Sequence, residues 1–296
     1  MRDAEFARRV LGAGVLASLL LSGTPIVEAG SLDEMISPMS MPTVNEDPRS
    51  TTEIRPMFMY TKISEDFVTN GGNYSVVAVQ LRLAITERIA FIASKDGYIW
   101  LRPDDVVPDD DGLANLAFGF KGSLIRDEEH AFILSGGLRY EAASGSQDVL
   151  QGFGKGVLNP FLSVAKGFDD FHVQAYTGPG LALTSDDSSY YDLALHFDYR
   201  LMERLYPLLE FNWRHTLRGG DRLPIDQEGW DLVNLGSQDA GGESVATIAF
   251  GGRWRITDDL DFGAVAEFPV TSRHDILDWR VTTDLIWRPF GWGSLL

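Results

Sequence analysis

Between residues 193 and 216 the chain reads LALHFDYRLMERLYPLLEFNWRHT, a stretch in which side chains of opposite character alternate. Leu193, Leu195, Phe197, Tyr199 and Leu201 share one parity, and Ala194, His196, Asp198 and Arg200 the other. After a break at MERLYP the pattern resumes, with Leu209, Phe211 and Trp213 set against Glu210, Asn212 and Arg214. A β-strand sends successive side chains to opposite faces, so this stretch builds one apolar face and one charged face. A sheet in water turns the apolar face inward. A membrane barrel turns it toward lipid and keeps the charges in its lumen. The stretch alone is compatible with either.

The connections choose between them. From EIRPMFMYTKI (53–63) to ILDWRVTTDLIWRPF (276–290) we read about 12 strands. TER (86–88), RDEE (126–129), FDD (168–170), ER (203–204) and TDD (257–259) are short turns after every second strand. Between them lie SEDFVTNGGNY, RPDDVVPDDDG, residues 142–158, TSDDSS and the long run LRGGDRLPIDQEGWDLVNLGSQDAGGE. Tight turns on one side and longer loops on the other are the plan of an outer-membrane barrel, whereas a sandwich has no reason to sort its loops by parity. The expected fold is therefore all-β: a closed, antiparallel, up-and-down transmembrane barrel with both termini on the periplasmic side. Tyr60, Tyr140, Trp213, Trp254, Trp279 and Trp287 lie near strand ends on the apolar parity, where interfacial girdles belong.

The start of the chain fits export. MRDAEFARRV is basic, VLGAGVLASLLLS is too short to anchor in a bilayer, and Val27-Glu28-Ala29 offers small residues for cleavage. We read residues 1–29 as a secretory signal, 30–51 as a flexible periplasmic lead-in because PMSMP and its neighbours follow neither period, and 52–296 as the barrel. With no cysteine there is neither a disulfide framework nor a lipid-anchored cysteine. A net charge of −18 argues against nucleic-acid binding. The expected setting is the bacterial outer membrane, with outer-membrane lipid, lipopolysaccharide, the barrel-insertion machinery and small solutes as partners.

QLRLAITERIAF, NLAFGFKGSLI, PFLSVAKGF, DYRLMERLYPLLEF and FGGRWRITDDLDFGAVAEF are strand, turn and strand units. Over nearly the whole exported chain they resemble outer-membrane barrels of the phenol meta-pathway transporter-like group and related barrels. That resemblance implies uptake of small organic or aromatic compounds. One departure is that Phe290 falls off the lipid-facing parity, whereas such barrels commonly end on an aromatic of that parity.

Parity places Arg82, Lys121, Arg139, Arg200, Arg214, Arg253, Arg255, Arg280 and Arg288 in the lumen against Asp192, Asp198, Glu210, Glu267 and Asp284. A net basic interior in a low-dielectric passage favours anions. The candidate constriction comprises Arg82, Lys121, Arg200, Arg253, Arg255 and Arg288 with Asp198, Glu210 and Asp284. The expected function is passive passage of small solutes, with anionic or aromatic organics as candidates. Two alternatives stand beside it. Charges pairing across the lumen would plug it and leave an envelope scaffold, and a Ser-His pair on the lipid-facing wall would make a lipid hydrolase. No His-x-Ser pairing lies on one strand face, so a non-enzyme is expected. No cofactor motif is present. Asp109, Asp110 and Asp111, with Asp104 and Asp105, form a weak candidate calcium loop, and EGWDLVNLG in the last long loop is expected at the barrel mouth or on its rim.

Overall fold

The computed structural model describes residues 31–289; the export signal read over 1–29 and the terminal stretch from Phe290 lie outside the described residues. The strands are β1 (Glu53–Ile63), β2 (Gly72–Ala84), β3 (Ile89–Lys95), β4 (Tyr98–Pro103), β5 (Asp110–Leu113), β6 (Leu116–Asp127) and β7 (Phe132–Ala142). They continue with β8 (Val157–Phe168), β9 (Phe171–Ala182), β10 (Ser189–Tyr199), β11 (Leu205–Arg218), β12 (Ser244–Thr257), β13 (Leu260–Pro269) and β14 (Leu277–Trp287). Every pairing is antiparallel between neighbours, and β1 closes the ring by pairing with both β2 and β14. The fourteen segments make a barrel of 12 strands, because β3 and β4 are two halves of one barrel strand, and β5 and β6 are halves of the next.

The break between β3 and β4 has a local cause. Gly97 takes φ +110, and a Cβ there would lie 2.4 Å from the Val77 carbonyl oxygen, so only glycine fits. Asp96 beside it accepts a hydrogen bond from the Val79 amide at 2.9 Å, replacing a ladder carbonyl that the bulge has moved away.

Burial runs opposite to that of a water-soluble protein. Arg55, Arg82, Arg253, Arg280 and Arg288 are at most 3% exposed, while Phe120, Phe250, Trp254 and Trp287 are at least 50% exposed. Apolar side chains on the outer wall and charges inside are the arrangement of a barrel in lipid, whose strands of about 9–11 residues suffice to span. The aromatic pairs Tyr60–Trp279 and Phe118–Tyr140, with centroids 5.3 and 6.1 Å apart, lie toward the long-loop end. Trp254 and Trp287 lie toward the short-turn end. No described helix is long and apolar enough to cross a membrane.

Composition led to one expectation that the fold does not meet. The lead-in does not trail away: Met35 to Arg49 are all buried inside the barrel. From the short-turn end, where Leu32 and Met35 pack on Ala131, Ile133 and Ala165, the chain rises along the lumen. It reverses at Met41 (φ 51), whose carbonyl accepts from the amides of Val44 and Asn45, and returns to Ser50, which donates to the Thr86 carbonyl in a short turn. The composition that reads as disorder is what makes this possible. An irregular buried segment leaves its backbone groups without ladder partners, and each proline removes one donor from that demand. The segment's carbonyls are met largely from the wall: Ile36 by Gln174, Pro38 by Arg55, Pro42 by Gln80, Val44 by Arg139 and Pro48 by Ser135, while Arg49 of the lead-in itself donates to the Leu32 and Met35 carbonyls. Methionine, flexible and unbranched, fills the irregular gaps, as Met39 does against Tyr206, Leu208 and Val265.

Candidate functional site: the lumen

The inward parity of each strand supplies the wall of the site, and the lead-in supplies its occupant. On β2 and β6, Arg82 and Lys121 converge on Glu46 of the lead-in. Arg82 Nε and Nη2 donate to the two Glu46 carboxylate oxygens at 2.8 and 2.9 Å, and Lys121 Nζ donates to Oε1 at 2.8 Å. On the adjoining wall, one strand removed from β2 across β1, Asp284 of β14 receives two guanidinium groups. Arg253 donates at 2.8 and 3.0 Å, and Arg55 Nε donates at 2.6 Å. Further round the ring Glu210 of β11 accepts from the backbone amides of Met39 and Ser40, at 2.8 and 2.6 Å. A chain of side chains continues from it: His196 Nδ1 lies 2.6 Å from Glu210, His196 Nε2 lies 3.0 Å from Asp198, and His172 Nδ1 lies 2.6 Å from Asp198.

The long loop between β11 and β12 closes the lumen from the other end. Trp230, Leu232, Val233 and Leu235 are buried and share a cluster with Met41 and Val44. Asp231 accepts from Arg280 Nη1 at 2.6 Å and from the Thr43 hydroxyl at 3.1 Å, so the loop and the lead-in touch inside the barrel. Lys95 Nζ donates to the Leu232 carbonyl at 2.7 Å, and Arg214 Nη1 donates to the Trp230 carbonyl. EGWDLVNLG thus enters the mouth without forming a helical turn.

The candidate constriction residues are distributed over two levels. Arg82, Lys121, Arg253, Arg288, Asp198, Glu210 and Asp284 are buried inside, with Arg288 donating to Asp261 at 2.8 Å. Arg200 and Arg255 sit at the short-turn rim. Arg200 is a third exposed and holds Asp170 and Glu34, while Arg255 contacts the Asp33 carbonyl at 3.3 Å. The strand sequences alone make the interior net basic. In the folded chain Glu46 of the lead-in and Asp231 of the loop pair with wall cations and offset that excess, while Asp47 pairs with Arg49 of its own segment. Arg55 and Glu53 escaped the sequence reading although β1 alternates cleanly, with Glu53, Arg55, Met57, Met59 and Thr61 inward. Glu46 and Asp231 could not be found by parity, since neither lies on a strand.

Among the described residues no group of three or more histidine, aspartate or glutamate side chains is arranged to hold a metal ion. The acidic loop is not gathered into a cage: Asp109 lies 3.7 Å from Arg102, the Asp110 carboxylate accepts from the Asp111 amide, and Asp111 accepts from Tyr98. On the outer wall, strand register produces a Ser-His contact that a search along single strands misses. His215 Nδ1 of β11 lies 2.9 Å from Ser244 Oγ of β12, and the imidazole stacks on Trp213. Among the described residues no hydrogen bond joins a third side chain to His215, so the orienting partner of a hydrolytic triad is missing.

A solved structure described as the COG4313 outer membrane channel from Pseudomonas putida F1 superposes on this chain with a TM-score of 0.59. Identity is 10%, over 86% of this chain and 99% of that one. The NanC porin gives 0.51 at 6% identity, over 80% and 99% of the two chains. The fold is that of an outer-membrane β-barrel. No family profile and no curated protein matches the chain in sequence.

Proposed function

We propose that the protein is an outer-membrane channel for small anionic solutes, organic and aromatic acids among them, which the lead-in holds closed at rest. The observation that carries this reading is the division of charge. The cations Arg55, Arg82, Lys121, Arg139 and Arg253 stand on the barrel wall, while Glu46 and the carbonyls that contact them belong to a segment outside the sheet. Removing that segment would leave a basic passage between low-dielectric walls, which concentrates anions. Export through the signal at 1–29 and insertion with the long loops outside are part of the same proposal.

The test is planar-bilayer recording of the exported chain beside a form lacking residues 31–50, under a salt gradient. We expect small or rare openings from the first and steady, anion-selective steps from the second. Replacing Arg253 and Arg255 together with neutral residues should then reduce the anion preference. Equal conductance of both forms would overturn the gate. Silence of both, from protein shown to be inserted, would favour the second reading, an envelope scaffold, which is supported by the filling of the lumen from both ends.

A further inference from the structure

The contact between Glu46 and the wall differs from the other lead-in contacts in its chemistry. Most of those are made to backbone carbonyls, which any extended peptide could offer. Here a free carboxylate is gripped by a full recognition set. Arg82 meets both oxygens side-on through Nε and Nη2, the planar fork that matches a carboxylate, and Lys121 adds a point charge on Oε1. All three side chains are nearly completely buried, with 2%, 1% and 0% of the Arg82, Lys121 and Glu46 side chains exposed.

The fork is held by groups that do not belong to the lead-in's turn. Arg82 Nη1 donates to Glu53 of β1 at 3.1 Å and lies 3.4 Å from the Gln80 side-chain oxygen of β2. Departure of Glu46 therefore leaves the guanidinium in place, with its carboxylate-binding edge vacant. The local balance then becomes two cations, Arg82 and Lys121, against the one anion Glu53. A buried excess of positive charge is costly unless an anion returns.

We propose that Arg82 and Lys121 form a binding site for a small organic carboxylate, and that Glu46 is a tethered stand-in for that ligand. The proposal rests on the channel reading above and names its solute class. A carboxylate that enters the lumen competes with Glu46 for the same fork, so the solute itself favours the undocked lead-in. The ligand shifts the equilibrium only because it binds the undocked form alone.

Chemical rescue tests this without relying on conductance. Glu46→Ala leaves a carboxylate-sized gap facing two buried cations, and its barrel should unfold at lower urea concentration than the parent. Acetate or propionate should restore the midpoint, and chloride at equal ionic strength should not. A ligand at about 100 times its Kd should favour the folded form by about 100-fold. The parent, with Glu46 in place, should respond only at far higher carboxylate concentration, because the ligand must first displace Glu46. Adding Arg82→Gln to Glu46→Ala should abolish the rescue. If Glu46→Ala does not fold, the form lacking residues 31–50 replaces it: propionate binding measured calorimetrically should be present there and lost with Arg82→Gln.

Rescue by phosphate as strong as by acetate would overturn the carboxylate assignment in favour of a general anion site. A folded Glu46→Ala barrel indifferent to carboxylates would overturn the site itself. Failure of the gate is separately visible: carboxylate binding with unchanged conductance on deletion would remove the gating reading and leave the site standing.

Discussion

Glu210 is the wall residue whose loss should most directly loosen the lead-in. Its two oxygens accept the Met39 and Ser40 amides at 2.8 and 2.6 Å, and Oε1 also faces His196 Nδ1 at 2.6 Å. Glu210→Gln keeps the shape, removes the charge and turns one acceptor into a donor that faces an amide donor. A hydrogen bond to a charged group contributes about 1.5–3 kcal/mol, so losing one should cost the docked segment about 2–3 kcal/mol. That corresponds to an increase of about 30- to 150-fold in the population locally detached at Ser40. The chain contains no cysteine, so Ser40→Cys supplies a single thiol with no background. The rate at which maleimide labels that thiol, compared with and without Glu210→Gln, should rise by the same factor in protein whose folded state is confirmed by heat-modifiable migration. An unchanged rate would show that the Glu210 clasp does not hold the segment, and the reasoning would fail.

Three further outcomes are expected. Asp284→Asn leaves Arg55 and Arg253 buried around a neutral amide, which should lower barrel stability by about 3–5 kcal/mol in urea unfolding, while Asp258→Asn at an exposed turn should do nothing measurable. Gly97→Ala should sharply reduce refolding yield because its Cβ meets the Val77 carbonyl oxygen, whereas Gly242→Ala, also at positive φ but in open space, should carry only the cost of backbone strain. In the long loops, burial pushes the carboxyls of Asp187 and Asp275 from 3.8 up to about 6, against the opposing pull of Arg222 and Arg273. A raised folded value means the packed loops favour the protonated form. Their contribution is complete below pH 3.8 and is lost as pH rises through about 6, so amide exchange of residues 183–188 and 270–276, corrected for intrinsic rate, should slow between pH 7 and 5. Exchange independent of pH would refute it.

The barrel is legible in the sequence because it is written in two local signals. Alternation in segments such as 193–199 and 209–214 fixes which side chains share a face, and the sorting of short and long connections fixes where the strands turn. Only the break at Asp96–Gly97 and its partner at Ala114–Asn115 divided strands that the pattern reads as continuous. The inward placement of Arg82, Lys121, Arg253, Asp198, Glu210 and Asp284 followed from the same parity.

What fills the lumen did not follow, and the reason is physical. Parity describes a residue relative to its own strand, whereas Glu46, Met39 and Asp231 belong to segments without a period, whose positions are set by partners 36 to 188 residues away. The same holds for Ser244 and His215, which meet only through the register of β11 against β12. Proline, serine and methionine look like solvent-exposed linker in one dimension. Inside a wall of arginines, which donate hydrogen bonds and accept none, a segment poor in amide donors and rich in free carbonyls is the complementary filling. The sequence by itself determined the wall and its two faces. Which face of the lead-in meets which cation, and therefore whether the passage stands open, was decided by the closed ring that brings them together.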